Sequence, residues 1–159
     1  MNAISTFLQS ETDNNKHLGI LIFDEVKLRE EIQFNSTSLK VDGFVDFGDL
    51  TPGEMKSSLA NHALVFMFVP LLFNWVQPVA VYASRNATPG DILAKILIQV
   101  IIQLEQVGAK VIGFTSDGSQ SNKKAWSNLG ICGKRGKIKC NIPNQVDESR
   151  KIWAFSDAV

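Results

Sequence analysis

A chain of 159 residues suits one domain and hardly two, and with 45% hydrophobic and 20% charged residues it can bury a core of ordinary size. Lysine plus arginine total 16 and aspartate plus glutamate total 16, so the net charge is zero and no general attraction to nucleic acid follows. Cys132 and Cys140 have no second pair and no nearby histidine, which argues against a zinc-thiolate set and leaves free thiols as the expectation.

The opening "MNAISTFLQSETDNNKH" is polar, with no basic leader and no long apolar core. A flexible arm over residues 1–16 is expected, and a signal peptide is not. "HLGILIFDEVKLRE" (17–30) is a short apolar run that gives way to charge, and it reads as the first strand. "LKVDGFVDFGD" (39–49) alternates partly and is rich in aspartate and glycine, as a hairpin partner or a bulged strand is. Its acids Asp42, Asp46 and Asp49 read as a solvated hairpin rather than a metal site. "LTPGEMKSSLANHA" is expected to be a loop with a short helical turn.

"LVFMFVPLLFNWVQPVAVYA" (64–83) has the length and apolarity of a membrane span. Pro70 and Pro78 would break such a helix, and the β-branched and aromatic content favours two buried strands joined near "FNW". "ATPGDILAKILIQVIIQLEQVGAK" (87–110) reads as a helix, with Thr88 as N-cap, Pro89 as first helical residue and Asp91 as capping-box acid. Lys95, Gln99, Gln103 and Gln106 form one polar stripe, so the remaining faces lie against a sheet, and Gly108 ends the helix. The strand "KVIGFTSD" follows at once, which makes an α/β unit with the strand parallel to a neighbour. "QSNKKAWSNLG" is a short helix stopped by Gly130. "ICGKRGKIKCNIPNQVDESR" is a loop with scope for a hairpin, and "KIWAFSDAV" is a last strand that runs into Asp157.

Two apolar strands end on an acid: "ILIFDE" on Asp24 and "IGFTSD" on Asp117. Two readings stand side by side. Each acid merely caps a turn, as Asp117 before Gly118 would, or the two converge across neighbouring strands. Two carboxylates about 4 Å apart repel by roughly 4 kcal/mol at an effective dielectric near 20. A proton or a cation between them removes that cost, and Mg²⁺ needs only a few oxygen ligands. Glu25 should point to the opposite face of its strand. His17 and His62 read as surface or strand-flanking residues, and the three tryptophans as core or rim packing. The basic stretch "GKRGKIK" (133–139) lacks the spaced glycines and Lys-Ser/Thr pair of a phosphate loop and reads as a solvated loop.

The blocks "LIFDEVKLRE", "VDGFVDFG", "HALVFMFVPLLFNWVQPVAVY", "TSDGSQSNKKAW" and "KIWAFSDAV", in this order, resemble the ribonuclease H-like domain of P-element-type transposases, a family with domesticated THAP-domain relatives. The resemblance implies an α/β fold: a mixed five-stranded sheet flanked by helices, here over residues 17–159, with an inserted hairpin after strand one. It implies that Asp24 and Asp117 are catalytic metal ligands for Mg²⁺ or Mn²⁺. From the residues themselves, Asn122 either hydrogen-bonds the turn that holds Asp117 or caps the short helix, and Asp157 is at best an accessory acid. The resemblance also implies DNA as partner, a homo-oligomer in a full-length relative, a nuclear location and no membrane. The third acid of the family lies beyond a GTP-binding insertion that this chain lacks, so no residue here is assigned that role. The expectation is a transposase core fragment, inactive alone. The alternative is a domesticated, non-catalytic module that binds protein or DNA.

Overall fold

A computed structural model describes residues 17–37 and 39–157; the arm expected over 1–16 lies outside the described residues. In chain order the elements are β1 (Leu18–Lys27), β2 (Gln33–Asn35), β3 (Lys40–Asp42), a 3-10 turn (Gly53–Met55), β4 (His62–Pro70), β5 (Gln77–Ser84), α1 (Gly90–Gln106), β6 (Lys110–Ser116), α2 (Gln120–Asn128), β7 (Asn141–Pro143) and β8 (Lys151–Ser156). The main sheet has six strands in the order β5-β4-β1-β6-β8-β7. The β1–β6 and β6–β8 pairs are parallel and the other pairs antiparallel. The fold is therefore the expected mixed α/β sheet with one strand more than expected. The addition is β7, whose three residues pair with β8 through Ile142↔Ile152. The β2–β3 hairpin forms its own two-stranded sheet after strand one.

Alternation builds the core. Leu21 and Phe23 of β1 face the same side as Phe68 and Phe66, their partners on β4, and as Phe114 on β6. The Phe23 ring centroid lies 5.1 Å from that of Phe66 and 6.3 Å from that of Phe114, so one aromatic row crosses three strands. Over it lies α1, with Leu93, Ile96, Leu97, Val100, Ile101 and Leu104 buried. Each such side chain contributes about 1.5–3 kcal/mol on burial. No helix among the described residues is long and apolar enough to cross a membrane. The 64–83 stretch instead makes β4 and β5. Only β4 is well buried; β5 is an edge strand with Pro78 and Val81 exposed, an arrangement that leaves proline without a missing ladder bond.

Thr88 does not cap α1. Pro89 occupies the N-cap position without a side-chain bond, and Thr88 is fully buried. Its N–H donates to Glu25 Oε1 at 2.6 Å and its carbonyl accepts from the Ser121 hydroxyl, so contacts with β1 and α2 fix the residue away from the helix end. Gly90 is where the helices meet: a Cβ there would lie 2.7 Å from the Lys124 side chain and from the Ser121 carbonyl. At the other end Gly108 takes φ +95°, and Gly108 N–H and Ala109 N–H bond to the carbonyls of Glu105 and Leu104 in a Schellman arrangement.

Both crossovers, β5–α1–β6 and β6–α2–β8, join parallel strands and advance in the same direction across the sheet. Right-handed crossovers of that kind put both helices on one face. The other face carries Ile20, Ile22, Met67, Val81, Trp153 and Phe155, of which Val81 is 61%, Trp153 44% and Phe155 48% exposed.

Candidate metal centre

The site is set by strand register. On the parallel pair β1–β6, Ile20 lies opposite Gly113, Leu21 opposite Phe114 and Ile22 opposite Thr115. The pairing ends there; Asp24, still on β1, and Asp117, one residue past β6, each lie two residues beyond it. Both residues line one cleft of about 200 Å³, with Glu25, His62, Ser119 and Asn122, over a floor of Phe23 and Leu64.

Asp117 leaves β6 into a turn that holds its carboxylate. Ser119 N–H donates to Asp117 Oδ1 at 3.1 Å, and Asn122 Nδ2 donates to the same oxygen and, at 3.2 Å, to the Asp117 carbonyl. Ser119 also caps α2, its hydroxyl accepting from Asn122 N–H at 3.3 Å. The Asp117 pKa is held below the ordinary carboxylate value, first by the Ser119 backbone N–H and then, against the opposing effect of burial, by the Ser119 and Asn122 side chains and the charge of Lys123. Asp117 is therefore an anion at neutral pH. Asn122 is buried, and it bonds the acid-bearing turn while Ser119 does the capping.

Asp24 is exposed, and its Oδ1 accepts Glu25 N–H at 2.8 Å. Neither Asp24 nor Asp117 forms an ion pair with a described residue; the described pairs belong to Arg150. No group of three or more His, Cys, Asp or Glu side chains among the described residues is arranged to hold a metal ion. Among the described residues the strand ends offer the carboxylates of Asp24 and Asp117, with Glu25 beside them. That suits a hard cation which keeps several waters, as Mg²⁺ does, and does not suit a closed cage. Glu25, expected on the opposite face, does line the cleft, with Oε1 taken by Thr88 N–H. Asp157 stands one strand away: Ser116 pairs with Ser156, so the register carries Asp157 level with Asp117, and Asp157 N–H donates to the Ser116 carbonyl at 3.1 Å. It does not line the cleft.

His62, expected as a surface or strand-flanking residue, also lines the cleft. It starts β4, which runs antiparallel to β1, so the beginning of one strand meets the end of the other. Strand pairing, not residue type, was the signal that could have found it.

Residues 1–130 match the family model described as TNP-like, RNase H N-terminal domain. The chain belongs to this family. It is 27% identical over 158 residues to the human DNA transposase THAP9, covering 98% of this chain and 17% of that protein. To the Transposable element P transposase of Drosophila melanogaster it is 23% identical over 145 residues, covering 91% of this chain and 16% of the relative. The chain therefore spans about a sixth of the length of the curated relatives it matches. Among solved structures, the Drosophila P element transposase strand transfer complex aligns at TM-score 0.69 and 22% identity, over 99% of this chain and 30% of that one. The TNP-like RNase H sheet described above is thus the fold found in that complex.

Proposed function

We propose that this TNP-like domain is part of the catalytic core of a P-element-type DNA transposase, in which Asp24 and Asp117 hold Mg²⁺ or Mn²⁺ for phosphodiester hydrolysis and strand transfer. The observation that carries this reading is a pair of acids near the ends of adjacent parallel strands, lining one cleft, with no basic side chain among the described residues paired to either. Holding two anions in one cleft is costly unless a cation joins them. A divalent ion bound there would polarise the phosphodiester and activate the attacking oxygen.

The chain's own residues do the rest. Asp117 is already ionised, because the turn bonds stabilise its charged form. Ser119 and Asn122 fix the direction of its carboxylate, so orientation is set before a ligand arrives. Asp24 is exposed and open to an incoming cation. DNA as substrate, a nuclear location and assembly into a homo-oligomer belong to the same proposal; the named relatives are transposases and the structural neighbour is a strand transfer complex. The third acid that the family resemblance implies is assigned to no residue of this chain.

The test is thermal unfolding with increasing Mg²⁺ or Mn²⁺. A single site filled to about a hundred times its Kd stabilises the fold by about 2.7 kcal/mol. That stabilisation is expected to vanish in Asp24→Asn and in Asp117→Asn. A wild-type midpoint that does not respond to either ion rules the metal reading out. A second reading, a non-catalytic module that binds a partner, is favoured by the uncovered apolar sheet face with Val81, Trp153 and Phe155, and it predicts that null response.

A further inference from the structure

His62 lines the cleft that holds Asp24 and Asp117, and three hydrogen bonds determine which of its nitrogens carries the proton. Asn86 N–H donates to Asn61 Oδ1 at 2.7 Å. A backbone N–H only donates, so this atom of Asn61 is the acceptor. The Asn61 amide agrees, since its Nδ2 lies 3.3 Å from Asn86 Oδ1. His62 Nδ1 lies 2.7 Å from the same Asn61 Oδ1, so Nδ1 must carry hydrogen. A neutral imidazole has one N–H, which leaves Nε2 as a lone pair. No described residue hydrogen-bonds to Nε2.

His62 does not join Asp24 and Asp117 in a group able to hold one ion. Its place is then on the water side of the site rather than among the ligands. We propose that His62 is the proton acceptor of this cleft, its Nε2 taking the proton of the water that attacks the phosphodiester beside Asp24 and Asp117. This deepens the metal-centre reading and rests on it. As the water oxygen forms its bond to phosphorus, its O–H bond breaks with the electron pair left on oxygen, and the proton forms an N–H bond at Nε2. The leaving oxygen departs with the pair of the broken P–O bond and takes a proton from solvent. The imidazolium keeps its Nδ1–H bond to Asn61, so the ring does not turn as it charges. Asn61 and Asn86 are positioning residues for this step.

The chain has two histidines, so nitrogen NMR of the imidazoles reads both rings, with His17 as internal reference. His62→Asn assigns the signals; its amide can keep the donor toward Asn61 while removing Nε2. The expected result is an Nδ1–H tautomer for His62. Substoichiometric Mn²⁺ should then broaden the His62 ring signals more than those of His17, and the difference should be lost in Asp24→Asn. His62→Asn should leave Mn²⁺-dependent thermal stabilisation unchanged. An Nε2–H tautomer overturns the proposal whatever the metal does. Stabilisation by Mn²⁺ without selective broadening at His62 overturns it and leaves the metal centre standing. No stabilisation by Mn²⁺ removes the metal centre, and the role of His62 with it.

Discussion

At the end of the sheet where β6 begins, one carboxylate is fully engaged. Glu105, with its side chain 4% exposed, accepts from Val111 N–H at 2.8 Å and from Asn144 Nδ2 at 2.9 Å through Oε1, and pairs with Arg150 through Oε2. Arg150 Nε in turn reaches Asp147 Oδ2 at 2.8 Å. At the end where β6 finishes, Asp117 and Asp24 have backbone and side-chain amide partners but no arginine among the described residues. The same fold thus neutralises its acids at one pole and leaves them charged at the other. The first arrangement ties α1, β6 and the β7–β8 turn together. The second leaves Asp24 and Asp117 without an oppositely charged partner among the described residues, which is how a binding site differs from a structural bridge.

Substitutions sharpen this contrast. Glu105→Ala should be the most damaging, because it takes one of the two carboxylate partners of Arg150 and leaves the Val111 and Asn144 donors without a partner; a loss of roughly 3 kcal/mol in urea unfolding is expected. A loss below the scatter of surface substitutions would mean the lower pole is not a structural bridge. Ser119→Ala should cost about 1 kcal/mol through the lost α2 cap, and it should weaken cation-dependent stabilisation as well, since that cap holds in place the Ser119 N–H and the Asn122 amide that bond Asp117. An effect on stability alone would separate the cap from the site.

The smallest effect concerns acid. Asp147 is drawn down to about 2 by the Ser149 hydroxyl and then by Arg150. A carboxyl whose folded pKa is depressed contributes stability that is present above its unfolded value, near 4, and is lost as pH falls through the folded value. Asp147→Asn should therefore flatten the stability profile between about pH 4 and pH 2 while leaving the profile above that range parallel to wild type. Since Asp147 is at the surface, solvent screens the contribution and the change should be slight. A wild-type slope retained in the variant would assign the acid response to other groups.

Much of this was legible in the sequence because it rests on local pattern. The polar stripe of α1, the apolar runs ending in Asp24 and Asp117, and the glycine after α1 are each visible within a dozen residues. What was not legible depends on pairing across the chain. β7 is three residues long with Ile142 as its buried member, and only the partner strand β8 makes it a strand. Thr88 has the right type for a cap, but Glu25, 63 positions away, claims its N–H. His62 precedes an apolar run as many flanking residues do, and only the antiparallel pairing of β4 with β1 brings it to the acids. Glu25 obeys the pleat, yet at the strand end both parities open onto one cleft.

The bare sheet face and the acid pole share a row of side chains, since Ile20, Ile22 and Asp24 alternate along one side of β1. Two residues of strand separate Ile22 from Asp24, a rise of about 7 Å. Anything that comes to rest on that face to dry Trp153, Phe155 and Val81 is therefore seated at the rim of the carboxylates. Its arrival would lower the local dielectric around Asp24 and tighten whatever grip the pair has on a cation, so that wetting or covering the sheet would act as a dial on the chemistry at its edge.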